Sequence, residues 1–287
     1  MISCDLCGHD KPVFVLDSAG LDGSLVRCPS CGLYYVGSRR SNLTFGSSDS
    51  SAVLDRVREA NSRFQNLALD EEHRLAILNA RWRLQILRRY CAAGRLLEVG
   101  CARGDFLRVA REFFAVEGVE PNPELQASAR EAAPVYGGVV ETLPSTGFDV
   151  AASFHVIEHV DSPKAFLTAM AQRVRPGGII AIETPNIGSL PFRVFGSRWR
   201  EFIPEHYYFF DSQTIARLMQ CAGLQVEKIL SVGKYASVDL ILNRLSRYNR
   251  LFDVGAALMR TIRLSRLTVR INPGDIMLVI ARRDTVT

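Results

Sequence analysis

The stretch that most constrains this chain is RLLEVGCARGDF at 95–106. Residues 95–99 are mostly apolar with a single acid near the end, which predicts a short strand buried in a parallel sheet. Gly100 and Gly104 then bracket a tight turn, and 105–113 continues with helical apolar spacing. A strand, a glycine turn and a helix N-terminus make a loop that cradles a nucleotide, because glycine lets the backbone approach a ligand closely. Glycine pairs at strand ends also serve as plain turns. The spacing is neither G-x-G-x-x-G nor a P-loop, which needs Gly-Lys followed by Ser or Thr. A second strand at 115–120 ends in Glu120, before Pro121-Asn122-Pro123. An acid about 20 residues beyond such a turn is placed to accept hydrogen bonds from both hydroxyls of a ribose, in NAD enzymes as elsewhere.

The 95–106 stretch resembles motif I of class I S-adenosyl-L-methionine (AdoMet) methyltransferases, roughly E/D-x-G-x-G-x-G. Glu98, Gly100 and Gly104 match, and Ala102 stands at the middle glycine. FDVAASFHVIEHVDSP at 148–163 resembles the strand-4 signature of the family that includes ubiquinone-pathway and sugar O-methyltransferases. RPGG at 175–178, with the strand and Thr-Pro-Asn that follow, resembles that family's next turn and strand. The resemblance spans about 75–230 and the strand near 276–282. It implies an α/β fold: a doubly wound, Rossmann-like sheet of seven strands closed by an antiparallel pair at 224–230 and 276–281. It implies AdoMet as cofactor, held by Glu98, Gly100, Cys101, Ala102, Gly104, Asp105 and Phe106 around the turn, and by Glu120 and Pro121 at the ribose. Val140 and Glu141 fall where the family holds adenine largely through backbone groups, after a short strand expected at 137–140, and Phe154 closes the strand end. Many relatives carry an aspartate at the position of Val139.

Four of the seven cysteines form two knuckles, Cys4-x2-Cys7-Gly8 and Cys28-x2-Cys31-Gly32, in the pattern C-x2-C-x20-C-x2-C. Thiolates at this spacing suit tetrahedral Zn2+, and the glycine after each pair permits the tight knuckle. Two disulfides compete, but a cytoplasmic setting disfavours them. With short strands at 12–16, 24–27 and 33–36, residues 1–37 read as a zinc ribbon whose closed Cys4 set makes the metal structural. Residues 37–51 read as a linker, and 52–93 as two lead-in helices (apolar Leu75, Leu78, Trp82 and Ile86), where Trp82 and Phe64 are most simply core. The methyltransferase core then occupies 94–287.

Past the strand-4 end, His155, Glu158 and His159 sit where reacting groups meet in a doubly wound sheet, and their spacing lets them share a face. A histidine there could take the proton of a hydroxyl acceptor. The trio also resembles the E-x-x-E-H divalent-metal site of ubiquinone-pathway O-methyltransferases, with His155 replacing a glutamate; imidazole favours softer metals, so a second divalent metal is the weaker expectation. Or the three simply orient the loop. The connection 186–208 is long and aromatic, a pattern typical of lids and binding segments. Trp199 and Tyr207 are candidate acceptor contacts and His206 a further candidate base, with core packing the alternative. A helix at 211–222 follows.

Between the last two strands, 231–273 reads as a helical insertion. Val238, Ile241, Leu242 and Leu245 form a stripe beside Arg244, Arg247 and Arg250, and Arg260, Arg263, Arg266 and Arg270 cluster on a second helix, with Asp239 and Asp253 the acids there. Such a segment can lie on an anionic membrane as a peripheral contact or hold a phosphate group, or it is simply a solvated cap or a homodimerisation element.

The balance of 35 Lys and Arg against 30 Asp and Glu does not by itself call for nucleic acid. No apolar run reaches the roughly 18 residues of a membrane span and no signal peptide is evident, so a cytoplasmic protein is expected, with inner-membrane contact as an option. The leading functional expectation is AdoMet-dependent O-methylation of a hydroxyl on a sugar, glycan or secondary metabolite. Alternatives are an RNA or protein methyltransferase with the ribbon as substrate reader, or a non-catalytic AdoMet-binding scaffold.

Overall fold

The computed structural model describes residues 2–38, 69–246, 249, 251–262 and 264–285. Nearly all of the expected linker, the first lead-in helix with Phe64, and Arg247, Arg250 and Arg263 lie outside the described residues.

The chain opens with three short strands, β1 (Val13–Leu16), β2 (Leu25–Arg27) and β3 (Tyr34–Val36), paired antiparallel in that order. Helix α1 (Leu69–Leu87) contains neither glycine nor proline. It buries Ala80, Leu84 and Leu87, at i, i+4 and i+7, in a cluster with Leu96, Phe106 and Leu107, and Trp82 is partly buried against the same cluster.

The core alternates strand and helix: β4 (Gly94–Val99), α2 (Asp105–Ala110), β5 (Phe114–Val119), α3 (Pro123–Arg130), β6 (Val135–Tyr136), β7 (Phe148–Phe154), α4 (Pro163–Arg173) and β8 (Val174–Pro185). Then come α5 (Leu190–Phe195), β9 (Tyr208–Phe209), α6 (Ser212–Cys221) and β10 (Leu224–Ser231). The insertion holds β11 (Lys234–Ser237), α7 (Val238–Leu245), α8 (Leu251–Thr261) and β12 (Thr268–Ile271), and β13 (Ile276–Arg283) closes the fold. Seven strands form one sheet in the order β10-β13-β8-β7-β4-β5-β6. All run parallel except β13, which is antiparallel to both neighbours. The strand order reverses between β4 and β7, and a crevice opens beyond the carboxyl ends there.

The structure departs from sequence expectation at two places in this frame. The strand expected at 137–140 is instead β6, two residues earlier, followed by a 3-10 turn at Val140–Thr142; Gly137-Gly138 breaks the ladder. The insertion is not purely helical. Thr268, Val269 and Ile271 favour extended backbone, and β12 pairs antiparallel with β11. Arg270 therefore lies on a strand, 3.6 Å over the Trp82 ring, and Arg266 follows α8 rather than sharing its face with Arg260.

The N-terminal strands pack directly on the core. β3 pairs with β9 through Tyr34↔Phe209 and Tyr35↔Tyr208. Asp5, inside the first cysteine knuckle, takes the Ser162 hydroxyl at 2.6 Å and the Lys164 N–H at 2.8 Å, holding the start of α4. Arg217 of α6 donates to the Cys31 carbonyl at 2.8 Å. Among the described residues no helix is long and apolar enough to cross a membrane.

Candidate active site

A cavity of about 510 Å³ lies at the strand-order reversal, walled by the β4 turn (Gly100, Ala102), the β5 end (Glu120, Pro121), Val139–Glu141, Phe154 and the start of α4. Gly100 has φ +77°, and a Cβ there would stand 2.4 Å from Val156 Cγ2, on the cavity wall. Gly104 caps α2 at φ +79°, where a Cβ would meet the Ala129 backbone at 2.8 Å. Ala102 holds φ 46°, the left-handed conformation that glycine would supply more easily.

Two carboxylates shape this end. Glu120 is 2% exposed and accepts the Ala102 N–H through Oε2 and the Asn122 N–H through Oε1, both at 2.9 Å. Burial pushes its carboxyl up, against the pull of those two N–H groups. A carboxylate oxygen has capacity beyond one donor, so Glu120 can still receive a ribose diol. Glu98 is buried at the end of β4 with Oε2 lacking a hydrogen-bond partner. Burial, only partly countered by Arg83, raises its pKa well above the usual range. Gly100, where a Cβ has no room, lets a ligand approach the backbone of this wall closely.

Beyond β7, the histidine loop is knotted to three other elements. His155, at φ 57°, presents Nδ1 to Glu158 Oε1 at 3.1 Å and Nε2 to Glu183 Oε1 at 3.0 Å, with Lys234 Nζ 2.7 Å from Nε2. Arg83 forks onto Glu183, Nε to Oε2 at 2.9 Å and Nη2 to Oε1 at 2.5 Å. Burial and Lys234 press against a charged His155, but the two carboxylates win and its pKa is raised. Glu158 is fully buried yet held down to about 2, because the His155 hydrogen bond and the neighbouring histidines outweigh desolvation.

His159 and His206 stack edge to face, ring centroids 4.6 Å apart. Each Nδ1–H donates to a backbone carbonyl, His159 to Glu205 at 2.9 Å and His206 to Glu201 at 2.7 Å. Those carbonyls fix the tautomers, so both Nε2 atoms carry the lone pair. Burial lowers both to about 4, helped at His159 by His206 and opposed at His206 by Glu158. Ligand atoms of Glu158, His159 and His206 all lie within 4.8 Å of one another.

These shifts have a stability consequence. The folded pKa values of His159 and His206 lie below the ordinary 6.5, so their contribution is present above 6.5 and lost as pH falls toward 4. The raised His155 adds stability that is present below 6.5 and lost only as pH rises above it; Glu158 joins the two lowered histidines with the same sign only below 4.5. The raised Glu98 and Glu120 carboxyls act with the opposite sign in that window, so the test is a difference between chains. In denaturant melts in metal-free buffer, the parent should lose stability relative to His206→Gln from pH 6.5 to 4.5, by up to about 1.4 kcal/mol per pH unit; identical slopes would contradict these assignments.

The described methyltransferase-domain model matches residues 70–229, more than half of the chain. This chain belongs to the methyltransferase-domain family. A Mycolicibacterium smegmatis protein named "probable S-adenosylmethionine-dependent methyltransferase" is 31% identical over 159 residues, 52% of this chain and 58% of the relative. The ubiquinone biosynthesis O-methyltransferase of Rhizobium rhizogenes is 34% identical over 102 residues, 32% of this chain and 41% of the relative. The chain thus spans about half the length of the curated relatives it matches. A Thermotoga maritima structure titled "SAM-dependent methyltransferase, possible histamine N-methyltransferase" shares the fold at TM-score 0.51 and 19% identity, over 81% of this chain and 97% of that one.

Within this methyltransferase domain the expected cofactor residues divide. Gly100, Ala102, Glu120, Pro121, Val140, Glu141 and Phe154 line the cavity, whereas Glu98, Cys101, Gly104, Asp105 and Phe106 do not. Cys101 points inward, so close to β5 that a Cβ on Gly118 would lie 2.7 Å from its Sγ. Phe106 packs on Phe154 at 4.8 Å, and Asp105 meets His73 Nδ1 at 3.1 Å. Their part is to shape the turn.

Two acceptor candidates are corrected. Trp199 is 2% exposed, wedged among Phe192, Phe202 and Phe209, and offers no open face. Tyr207 is buried, and its backbone links elements instead: its N–H donates to the Glu158 carbonyl at 2.8 Å and its carbonyl takes the Val36 N–H at 2.9 Å. His155 and His159 both line the cavity, and both ring nitrogens of His155 are engaged. Sequence reasoning missed Ser162, Ala165 and Phe166 on the wall; Ser162-Pro163, an N-cap followed by proline at N1, was the available signal. It also missed Arg83, Glu183 and Lys234, brought together from distant parts of the chain, with no local signal.

The four knuckle cysteines converge, all Sγ atoms within 4.8 Å of one another. Gly8 and Gly32, at φ 76° and 84°, donate to the Cys4 and Cys28 carbonyls at 2.7 and 2.9 Å, repeating one knuckle twice.

Proposed function

We propose that this chain is an AdoMet-dependent O-methyltransferase that acts on a hydroxyl of a sugar, glycan or secondary-metabolite acceptor, with His159 as the base. The observation that carries this reading is the cavity itself, which joins the Gly100 turn and Glu120 at one end to His159 at the other. The ubiquinone O-methyltransferase relatives support oxygen as the atom methylated. When bound, AdoMet would supply a methyl group activated by its sulfonium. The chain's own residues bind and align. Gly100 admits the cofactor, Glu120 receives the ribose hydroxyls, and Val140, Phe154 and Phe166 exclude water. His159, on the cavity wall, would take the proton of the acceptor hydroxyl. A hydroxyl oxygen becomes strongly acidic as it is alkylated, so a base with a pKa near 4 suffices.

Radiolabelled AdoMet incubated with a panel of phenolic and sugar hydroxyl acceptors tests the reading. Label is expected in a base-stable ether; label in an amine, nucleic acid or protein would contradict it. Glu120→Ala should weaken AdoMet binding about 10–100-fold, since it removes two hydrogen bonds to a charged acceptor. Unchanged affinity by calorimetry would sink that assignment.

For the N-terminal cluster we infer structural zinc. Sulfur pairs at 3.4 Å (Cys4–Cys31) and 3.5 Å (Cys7–Cys28) are too far apart for disulfides and close to the separation of about 3.8 Å implied by tetrahedral Zn–S bonds. Elemental analysis should return one zinc per chain. Because β3 leads through β9 to the Glu158 loop and Asp5 holds α4, Cys28→Ser should disturb the cavity as well as the N-terminus, weakening AdoMet binding along with zinc loss. Loss of zinc with AdoMet affinity intact would show that the knuckles do not support the site.

A further inference from the structure

Helix α8 turns its apolar stripe to solvent. Val254, Leu258 and Ile262 recur at i, i+4 and i+8 and are 68%, 55% and 48% exposed. Ile262 continues the helical bonding by donating to the Leu258 carbonyl at 3.1 Å. The inward face is the small one. Ala256 is buried, and Gly255 faces Leu242 of α7. Arg260 clamps this orientation by forking onto Asp239 of α7, Nε to Oδ1 at 2.7 Å and Nη2 to Oδ2 at 3.0 Å. An ordinary surface helix does the reverse. Leu264 and Leu267, 47% and 54% exposed, extend the patch beyond the helix.

Charge accompanies the patch. Residues 231–273 hold eight of the chain's 35 Lys and Arg but two of its 30 Asp and Glu, so the whole net excess of +5 originates here. Arg266, between Leu264 and Leu267 in sequence, has a side chain 80% exposed, with its Nε 3.9 Å from Glu71 Oε2. An exposed apolar stripe in a segment that carries this cationic excess matches a surface that is anionic outside and hydrocarbon beneath.

We propose that this face docks on an anionic membrane surface, α8 lying in the headgroup plane. A second copy of the chain would cover the leucines only by opposing two strongly cationic segments, and nucleic acid would leave the apolar stripe wet. The insertion is fastened to the core: Arg74 donates to the Arg266 carbonyl at 3.3 Å, Arg270 covers Trp82, and Lys234 of β11 reaches His155. Docking would therefore tether the core, and not the insertion alone, to the bilayer surface. The docking itself does not depend on the methyl-transfer reading.

Co-sedimentation of the full chain with vesicles tests this: phosphatidylcholine containing phosphatidylglycerol against phosphatidylcholine alone, in about 0.1 M salt. Binding to the anionic vesicles is expected, at least about tenfold tighter than to the neutral ones. Leu258→Glu should reduce it at least about tenfold, and Arg266→Glu about fivefold or more, both with unchanged melting temperature and AdoMet affinity. No preference for anionic vesicles would overturn the proposal. So would a wild-type dimer in sedimentation equilibrium that Leu258→Glu dissociates, because a second copy would then be the occupant, or binding to single-stranded RNA that Leu258→Glu leaves intact.

Discussion

Gly100→Val is expected to abolish AdoMet binding, lowering affinity at least about 100-fold, the equivalent of about 3 kcal/mol. Two effects add. A β-branched residue at φ +77° is strained, and its Cβ would begin 2.4 Å from Val156 Cγ2. Val156 lines the cavity, so relief of the clash moves that side chain into the space the cofactor needs. Thermal unfolding of the variant separates a filled cavity from a lost fold: a cooperative melt with no AdoMet-induced shift is the expected pattern. Retained binding within about threefold of the parent would mean that the cofactor does not approach this turn.

The second large effect concerns the base. His159→Ala should lower kcat by about 10²–10⁴-fold, while AdoMet affinity changes little, because a base acts on the acceptor rather than on the cofactor. An ordinary histidine would give an activity that falls as pH drops through about 6.5. Here burial and His206 hold His159 down to about 4. Only neutral imidazole accepts a proton, so kcat should stay level from pH 8 to about 5 and decline below that. A metal role at Glu158, His159 and His206 would look different: EDTA would inactivate the parent, and Mg2+, Mn2+ or Zn2+ would restore it. If the variant keeps full kcat and chelation has no effect, the histidine pair is structural.

The chemistry-bearing turns were legible in sequence because each is local. Glycine, an acid and strand-forming residues at fixed spacing dictate the Gly100 turn and the Glu120 terminus, and C-x2-C-Gly twice dictates two like knuckles. The doubly wound sheet was implied by the resemblance of the motifs between 95 and 186, in their order, to the methyltransferase family. What was not legible depends on contacts far apart in the chain. Nothing in an aromatic-rich connection says that Trp199 closes on Phe192, Phe202 and Phe209, since burial of an aromatic is set by what folds over it. β9 is two residues long and carries no periodicity, yet it joins the cysteine knuckles to the Glu158 loop. His155, Glu158 and His159 share a helical spacing, but the backbone turns to φ 57° at His155. That turn sends His155 toward Arg83, Glu183 and Lys234 and leaves His159 to meet His206.

The central claim is that the cavity at the strand-order reversal is an AdoMet site. Isothermal titration of the purified chain with AdoMet, S-adenosylhomocysteine and NAD tests it most directly. One molecule of AdoMet or S-adenosylhomocysteine bound per chain, with no binding in Gly100→Val and none of NAD to the parent, is the predicted result. Saturable NAD binding without AdoMet binding would contradict it.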